Sequence, residues 1–456
     1  MHRLSLFLAI AFASIASAKP MNIVLIVSDD HHYTSLGCFG DPVVKTPHLD
    51  RLAKDGVKFT HCFTPNPICT PSRACILTGQ DTWKNGCVFF GEPINENSPL
   101  FPRLLSSAGY DVFVTGKWHN RRRPWDAGFT SGANIWMGGG YNHLAMPLMQ
   151  WKQTKRSDRK PASVFASTAF ADAAIGYLKS RDRAKPFCVY LSFTTPHDPW
   201  TPPGEYASMY DARKMPLPHN YMPRPPFKIN ERFLSLRDQR QLPWPVPKWG
   251  VKAALAQYYG LITQMDLQIG RVLDELDRQQ LSDDTLVMFA GDHGYSMGSH
   301  GFVGKQTMYD EGIRTPLIVR HPKLKRGGEV SDALVSLMDL LPTMCDAAEV
   351  DTPKDVDGAS LIAVYTGDRK HRRREIFSTF HSLTKHQMST RCVRTQTHKY
   401  IDHLMTDETE MFDLITDPYE LNNLAGKPEY KGIQDDLKQR LKAWRTANEK
   451  TDESRD

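Results

Sequence analysis

The chain has 456 residues, with 57 Lys and Arg against 51 Asp and Glu and a formal net charge of +6 at pH 7. This length suits one large α/β domain plus a smaller one, and the mildly basic balance suits an anionic substrate without demanding one. Because the sequence contains no zinc-finger spacing, aromatic RNA-binding motif or basic helix, it argues against nucleic acid as a partner.

Residues 1–18 have the pattern of a secretory signal peptide. A basic start at His2 and Arg3 precedes an apolar run over 4–15 and a small-residue cleavage site at 16–18. That run is too short to span a bilayer, and no later segment is long and apolar enough to do so. We therefore expect a soluble mature protein, exported to the periplasm or beyond the cell. Its eight cysteines are too few for a disulfide framework, and their connectivity stays open.

Four short apolar runs have the pattern of buried parallel strands, and each stops at a polar cluster. They are Asn22–Ser28 before Asp29 and Asp30, 111–115 before Lys117 and His119, 187–193 before His197, and 285–290 before Asp292 and His293. In open α/β sheets, ligands bind outside the carboxyl ends of the strands. We therefore expect these clusters to build one site from distant parts of the chain.

Helical patterns fill the intervals between these runs. Residues 163–178 and 253–278 carry apolar side chains at helical spacing. The alternation of strands and helices predicts an α/β fold, with a large doubly wound, mostly parallel sheet and helices on both faces. A proline-rich stretch over 201–247 is predicted to be a long surface loop that faces the substrate.

The character of the sequence changes near residue 351. Short strand candidates at 376–380, 391–394 and 399–402 are followed by a helical pattern at 435–447. These segments predict a small antiparallel sheet with one helix. We therefore divide the mature chain into an α/β domain over 19–350 and a smaller α+β subdomain over 351–456 that packs against it.

A cysteine stands directly before a helix-start pattern at 69–73, which reads Cys-Thr-Pro-Ser-Arg. Pro71 suits the first helical turn, so Cys69 is expected at the positive end of a helix dipole. This places a potential nucleophile beside backbone N–H groups able to hold an anion. A structural thiol beside a helix cap is the alternative that this stretch alone leaves open.

The stretch over 69–79 resembles the signature of the type I sulfatases of the alkaline-phosphatase-like superfamily, and the chain is similar to bacterial exported carbohydrate sulfatases. The resemblance extends from Asp29 through Lys305 and into 391–400, where an arginine precedes a Lys-Tyr pair. In that family a maturation enzyme oxidises the signature cysteine to Cα-formylglycine (3-oxoalanine). The resemblance implies that the hydrate of this aldehyde, formed from Cys69, is the nucleophile toward a sulfate ester.

Three carboxylates at two strand ends would repel each other unless a cation neutralised them. Hard oxygen ligands such as Asp29, Asp30 and Asp292 suit Ca²⁺ or Mg²⁺. In the sulfatase family the matching positions bind one Ca²⁺ in preference to Mg²⁺, and an oxygen of the residue matching Cys69 completes the site. His293 stands where many relatives have asparagine, although some carbohydrate sulfatases share this Asp-His pair, so we include it among the ligands.

The resemblance also implies roles for the basic side chains that handle the nucleophile. Arg73 and Lys117 match the groups that hold and polarise the diol of the hydrate, one hydroxyl of which lies on the metal. His119 matches the base that removes a proton from the second hydroxyl, which expels sulfate and regenerates the aldehyde. These assignments rest on the family motif.

Two further residues are implied at the sulfate and at the leaving group. Lys305 matches the lysine that binds sulfate oxygens together with the metal. His197 matches the acid that protonates the leaving oxygen, which a sugar alkoxide needs because it is a poor leaving group. A histidine flanked by prolines can also simply order a loop, but the position of His197 after a buried strand favours the catalytic role.

The expected substrate is a sulfated carbohydrate. Predicted substrate contacts are Arg121, Arg122, Arg123, His143, Trp200 and His381. Two alternatives remain open, a formylglycine-dependent phosphonate or phosphodiester hydrolase and a catalytically silent protein that binds sulfated glycans. A silent protein would be expected to lose Cys69, Arg73 or a metal aspartate, and the sequence keeps all of them.

Overall fold

The computed structural model describes residues 20–152, 155–227, 237–324, 326–366, 373–381, 389–404, 406 and 408–449. The predicted signal peptide lies outside these residues.

The strands of the described chain belong to three sheets. In chain order they are β1 (Asn22–Ser28), β2 (Val57–Phe63), β3 (Asp111–Lys117), β4 (Ser131–Trp136), β5 (Pro147–Lys152), β6 (Lys155–Arg156), β7 (Lys160–Pro161), β8 (Phe187–Ser192), β9 (Thr285–Gly291), β10 (Ser296–Met297), β11 (Val303–Gly304), β12 (Arg314–Arg320), β13 (Glu329–Ser331), β14 (Val335–Ser336), β15 (Glu375–His381), β16 (Ser389–Thr395), β17 (His398–His403) and β18 (Glu408–Asp413).

The helices of the described chain surround the largest of these sheets. They are α1 (Pro47–Asp55), α2 (Cys69–Thr78), α3 (Thr82–Asn85), α4 (Phe101–Ser107), α5 (Ala166–Ser180), α6 (Lys248–Arg278), α7 (Asp310–Ile313), α8 (Leu340–Ala348), α9 (Leu361–Tyr365) and α10 (Lys431–Asn448). No described helix combines the length and the apolar character that crossing a bilayer requires.

A 12-stranded sheet runs in the order β13-β2-β12-β9-β1-β8-β3-β4-β5-β6, with β14 beside β2 and β7 beside β5. The four runs predicted to end in polar clusters are the neighbouring strands β9, β1, β8 and β3, and all four are parallel. Their carboxyl ends therefore meet at one edge of the sheet. β12 runs antiparallel between β9 and β2.

Both faces of the sheet are buried under helices. On β1, Val24 and Ile26 point into a core shared with α1, α5 and α6. Ile23, Leu25 and Val27 point the other way, into a core shared with α2, α4 and α8. Alternate side chains of a strand face opposite sides of the sheet, which explains why the run is apolar throughout. The predicted doubly wound α/β fold is confirmed.

The predicted helices are present with shifted ends, as α5 and as α6, which begins at Lys248. The predicted loop over 201–247 is described except for 228–236. Part of it packs on the main domain through Tyr210, whose buried hydroxyl accepts a hydrogen bond from the backbone N–H of Lys45 at 2.9 Å. A short 3₁₀ turn at Arg237–Arg240 then returns toward the sheet edge.

The small antiparallel sheet has the order β15-β16-β17-β18, and α10 packs on it through Leu437 and Leu441. The prediction identified three of these strands and missed β18, because Glu408–Asp413 contains three acidic residues and lacks an apolar run. One of them, Glu410, is buried and accepts hydrogen bonds from Tyr309 and His403. The division of the chain after residue 350 stays a prediction. None of the eight cysteines, all in the described residues, forms a disulfide.

Candidate active site

The polar clusters at the carboxyl ends of β1, β3, β8 and β9 converge on the first residue of α2, Cys69. The helix begins at Cys69, and each of its residues is buried. The Cys69 Sγ lies 3.3 Å from Lys305 Nζ, 3.4 Å from His293 Nε2 and 3.9 Å from an oxygen of Asp30. The predicted position of this cysteine at a helix start is confirmed, and the structure adds the ammonium group of Lys305 beside it.

The surroundings of the Cys69 thiol favour its ionised form. Burial opposes ionisation, but the positive charges of Lys117 and Lys305 and hydrogen bonds from His119 and His197 outweigh it. Together they hold the pKa of the Cys69 thiol well below its ordinary value. The other cysteines of this region behave differently, since burial raises the pKa of the Cys75 thiol on the same helix.

The buried side chain of Arg73 forms ion pairs with both Asp29 and Asp292. Its guanidinium donates from Nη2 to Asp29 at 3.3 Å and from Nε to Asp292 at 2.9 Å, while its Nη1 donates to Ser192 Oγ at 2.6 Å. The side chain is only 1% exposed. One turn of α2 therefore carries both Cys69 and the cation that orients the aspartates around it.

Lys117 reaches the second oxygen of Asp29. Its Nζ donates to Asp29 Oδ2 at 2.6 Å, and both side chains are fully buried. The residue before it, Gly116, has a φ of +91°, and a Cβ there would lie 1.8 Å from the backbone oxygen of Ser192. Only glycine fits this close approach of β3 to β8. The close approach places Lys117, the next residue, against Asp29.

Asp30 connects the end of β1 to Lys305, the residue that follows β11. It accepts hydrogen bonds from Lys305 Nζ at 2.8 and 3.0 Å, and His293 Nε2 lies 3.2 Å from Asp30 Oδ1. The φ of Asp30 is +59°, a left-handed conformation that aspartate tolerates better than most residues. Its backbone N–H donates to Asp292 Oδ1 at 3.1 Å, so the ends of β1 and β9 are tied together.

A buried group of side chains in this cluster has the geometry to hold a metal ion. One ligand atom each from Asp29, Cys69, Asp292 and His293 lies within 4.8 Å of the others. Burial raises the pKa of the Asp292 carboxyl to about 7, and the neighbouring Asp29 adds to this shift. Carboxylates crowded together without water are stabilised by a cation, so the donor set fits a divalent ion.

His119 stands at the open side of the cluster. It is half-buried, its ring meets Phe90 edge-to-face at 5.1 Å, and its Nδ1 has no hydrogen-bond partner among the described residues. Burial and the charge of Lys117 lower the pKa of His119 to about 4, so the imidazole is neutral near pH 7. A neutral imidazole can accept a proton, as the predicted base must.

His197 follows β8 and lies beside Lys305. Its Nε2 points into the cluster, 3.2 Å from Lys305 Nζ and 3.6 Å from Asp30 Oδ2. Its Nδ1 faces the neighbouring Asp198, 2.8 Å from the backbone oxygen and 3.1 Å from Oδ1. Although burial disfavours the charge of His197, the field of Asp30 raises its pKa well above the ordinary value.

A glycine loop covers both imidazoles. A Cβ on Gly140 would lie 2.5 Å from Cε1 of His197, and a Cβ on Gly139 would lie 3.2 Å from Cε1 of His119. The indole N–H of Trp136 donates to the backbone oxygen of Gly139 at 2.7 Å and fixes the loop. The absence of side chains at 139 and 140 thus lets the loop approach both rings closely.

Several residues that support the site were not identified from the sequence. Tyr258 on α6 donates to the backbone oxygen of Asp30 at 2.6 Å and accepts from the N–H of His32 at 2.8 Å. Ser192, at the end of β8, accepts from Arg73. Asp198 directly follows His197 and could have been identified from that adjacency, whereas Tyr258 sits in a helix of ordinary amphipathic character and carries no local signal.

The predicted substrate contacts differ in their exposure to solvent. Arg121 and Arg123 are exposed and follow His119 by a few residues, as a substrate-facing run would. His143, in contrast, is fully buried, with Nδ1 3.1 Å from Thr194 Oγ1 and Nε2 2.9 Å from the backbone oxygen of His197. Both ring nitrogens therefore have protein partners, one of them the backbone of His197, and substrate contact by His143 stays a prediction.

Two other candidates, Trp200 and His381, pack against aromatic side chains. Trp200 is half-buried and packs edge-to-face on Tyr295 at 6.1 Å. His381 packs edge-to-face on Trp83 at 5.2 Å and lies 5.5 Å from Phe89. Burial lowers the pKa of His381 to about 2, so its ring is neutral. Substrate contact by Trp200 and His381 stays a prediction.

Comparison with protein families gives two matches that together cover most of the chain. A family model described as Sulfatase matches residues 21–350. A second, described as N-sulphoglucosamine sulphohydrolase, C-terminal, matches residues 298–447. The first match includes the whole cluster around Cys69.

Individual proteins and a solved structure agree with the family matches. An N-acetylglucosamine-6-O-sulfatase of Bacteroides thetaiotaomicron is 28% identical over 96% of this chain and 90% of its own length. An arylsulfatase of Clostridium perfringens is 30% identical over 93% of this chain and 94% of its own length. A solved structure in complex with its substrate D-glucosamine-2-N,6-O-disulfate superposes with a TM-score of 0.83 at 29% identity, over 95% of this chain and 99% of the other.

Proposed function

The chain belongs to the sulfatase family and is a sulfuric ester hydrolase, and we propose that it removes sulfate from a sulfated carbohydrate with a Cα-formylglycine made from Cys69. The observation that carries this proposal is the position of Cys69. Its Sγ stands where a hydroxyl of the formylglycine hydrate would stand, against Lys305 and His293. The formylglycine hydrate would supply the nucleophilic oxygen.

The cations around residue 69 suit the stabilisation of a sulfate group. Lys305 Nζ lies 3.3 Å from the Cys69 Sγ. It could donate a hydrogen bond to a sulfate oxygen in place of one of its two hydrogen bonds to Asp30. Arg73 and Lys117 are held from behind by Asp29, so they keep their positions while charge develops in front of them. Preorganised cations in a water-poor site stabilise such charge strongly.

Two histidines divide the proton transfers. His197 would donate a proton from Nε2 to the leaving oxygen, because its Nδ1 is already held by Asp198. His119, whose pKa is lowered to about 4, would accept the proton that must leave the nucleophilic residue when sulfate departs. One imidazole is kept charged and the other neutral by their surroundings, which is the separation that acid and base roles need.

We propose that the metal is a single Ca²⁺ held by Asp29, Asp30, Asp292 and His293 together with residue 69. The buried carboxylates fit a hard cation, and Ca²⁺ tolerates their irregular arrangement better than Mg²⁺ does. When bound, the ion would polarise a sulfate oxygen and favour deprotonation of the nucleophile. Protein freed of metal with a chelator should regain thermal stability with Ca²⁺ more than with Mg²⁺, and Asp292→Asn should weaken that response; equal responses to both ions would exclude the preference.

We further propose that residues 1–18 direct export and that a formylglycine-generating maturation enzyme is a partner of this chain. The amino-terminal pattern supports the first proposal, and the motif at 69–73 supports the second. An N-terminal sequence of secreted protein that begins after Ala18 would support export, and one that begins at Met1 would contradict it.

Sulfate release is the direct test of the activity. Purified enzyme from a host with the maturation system should release sulfate from 6-O-sulfated amino sugars or a related sulfated saccharide, and more slowly release phosphate or phosphonate products. Faster turnover of a phosphonate monoester would favour the phosphonate hydrolase alternative. Tight glycan binding with no release by fully matured protein would favour the silent binding protein.

A further inference from the structure

One short turn of the long loop contacts two segments, one that carries His197 and one that carries Lys305. In the 3₁₀ turn Arg237–Arg240, the guanidinium of Arg237 makes an ion pair with Asp198, and the amide of Gln239 donates to the backbone oxygen of Lys305 at 2.8 Å. The turn belongs to the loop between β8 and α6. It therefore links two groups that lie far apart in sequence but 3.2 Å apart in space.

On the His197 side, the link runs through Asp198. The Asp198 backbone oxygen and Oδ1 face Nδ1 of His197, and the other carboxylate oxygen faces Arg237. Asp198 is thus held between the imidazole and the guanidinium. Fixing Nδ1 sets the direction of Nε2, the nitrogen that points toward Asp30 and Lys305.

On the Lys305 side, the turn packs directly on the backbone. A Cβ on Gly304 would lie 2.6 Å from the backbone oxygen of Asp238 and 3.0 Å from Nε2 of Gln239. The amide of Gln306 also donates to Asp238 Oδ2 at 3.2 Å. The glycine before Lys305 therefore allows a contact close enough for Gln239, which is almost fully buried, to hold the lysine backbone.

We propose that the turn 237–240 positions the two ends of the reaction separately, Arg237 through Asp198 at the leaving-group acid and Gln239 at the sulfate-binding lysine. This inference rests on the proposed function. Arg237 touches neither the nucleophile nor Asp30 and is a positioning residue. Because each contact reaches a different group, loss of one should affect a different part of the chemistry from loss of the other.

The two roles predict different dependence on the leaving group. An aryl sulfate releases a stabilised phenolate and needs little help from an acid, whereas a sugar sulfate releases an alkoxide and needs the proton. Arg237→Gln should therefore lower kcat on a sugar sulfate by about 10- to 100-fold and lower it much less on 4-nitrophenyl sulfate. Gln239→Met should lower kcat on both substrates by a similar factor, because both carry the same sulfate group.

The experiment measures kcat and KM of fully matured enzyme on a sulfated saccharide that the wild type hydrolyses and on 4-nitrophenyl sulfate. Arg237→Lys, which keeps the charge, should recover part of the saccharide turnover, and Arg240→Gln, on the exposed side of the same turn, should change neither substrate. Equal loss on both substrates in Arg237→Gln, or no rescue by lysine, would overturn the role of Arg237. Selective loss in Gln239→Met would overturn that of Gln239. If fully matured wild-type enzyme releases no sulfate from any sulfated saccharide tried or from 4-nitrophenyl sulfate, the proposed function itself is refuted.

Discussion

The ammonium nitrogen of Lys305 lies 3.2 Å from Nε2 of His197, and both atoms face the carboxylate of Asp30. Lys305 follows the short strand β11, and His197 follows the central strand β8. At this separation, Lys305 can contact a terminal oxygen of a sulfate ester while His197 contacts the bridging oxygen of the same ester. Under the proposed function, Lys305 would bind the sulfate and His197 would face the leaving alcohol.

Replacement of Cys69 by alanine should abolish turnover and preserve folding. The change removes one sulfur atom whose neighbours are the charged groups of the site rather than the apolar core. The measurement is sulfate release together with a thermal melt. Cys75→Ala is the matched control, because this buried thiol lies on the same helix and has no place in the chemistry. It should cost about 1 kcal/mol of stability and keep the activity; unchanged turnover in Cys69→Ala would refute the mechanism.

Replacement of Arg121, Arg122 and Arg123 together by alanine should raise KM for the natural glycan and spare a small aryl sulfate. We expect these arginines, of which Arg121 and Arg123 are exposed, to bind a carboxylate or second sulfate that the small substrate lacks. The arginines leave the chemistry to other residues, so kcat should change little. Steady-state kinetics on both substrates test this, with Lys438→Ala and Lys442→Ala on α10 as a control for lost surface charge. The same rise in KM on both substrates would contradict the assignment.

A methyl group at position 140 should displace His197. In Gly140→Ala the new Cβ would lie 2.5 Å from Cε1 and 2.8 Å from Nδ1 of that ring, so the loop or the imidazole must move. We expect a loss of about 100-fold in kcat on sugar sulfates, the scale of an error of about 1 Å in a catalytic group. Gly176→Ala on α5, where nothing lies within 4 Å of the new Cβ, should keep full activity. Full activity in Gly140→Ala would mean that the loop does not constrain His197.

Asp266 should make stability fall as pH rises. This residue of α6 accepts hydrogen bonds from the backbone N–H groups of His48 and Leu49, and burial raises its pKa to about 7 from an ordinary 3.8. Folding therefore favours the protonated form, and its contribution is complete at pH values below the ordinary pKa and lost as pH rises through about 7.

The neutral variant Asp266→Asn should remove this dependence. Its free energy of unfolding relative to wild type should rise between about pH 4 and about pH 7, by at most about 4 kcal/mol, and stay level above that range. Denaturant titrations at several pH values measure the difference. A constant difference across this range would show that Asp266 is not the titrating group.

Local pattern was sufficient to predict the centre of the fold. β1, β3, β8 and β9 are short apolar runs that stop abruptly at charged residues, and both properties are visible in the sequence. The same strand ends carry most of the candidate site. The resemblance then supplied Cys69 and Lys305, which no strand pattern marks.

Other features depend on long-range pairing that local pattern does not contain. Nothing in the sequence around Tyr258 indicates that its hydroxyl reaches Asp30, and nothing around Arg237 indicates that it meets Asp198. Nothing in the sequence around His143 indicates that both its ring nitrogens have protein partners.

Mass spectrometry of the peptide that contains residue 69, from catalytically active protein, distinguishes a formylglycine nucleophile from an unmodified cysteine. We expect an aldehyde in place of the thiol in that peptide, and an unmodified thiol at Cys75, six residues later in the same helix. Active protein whose residue 69 is entirely unmodified cysteine would contradict the account, since the proposed nucleophile would be absent from an enzyme that works.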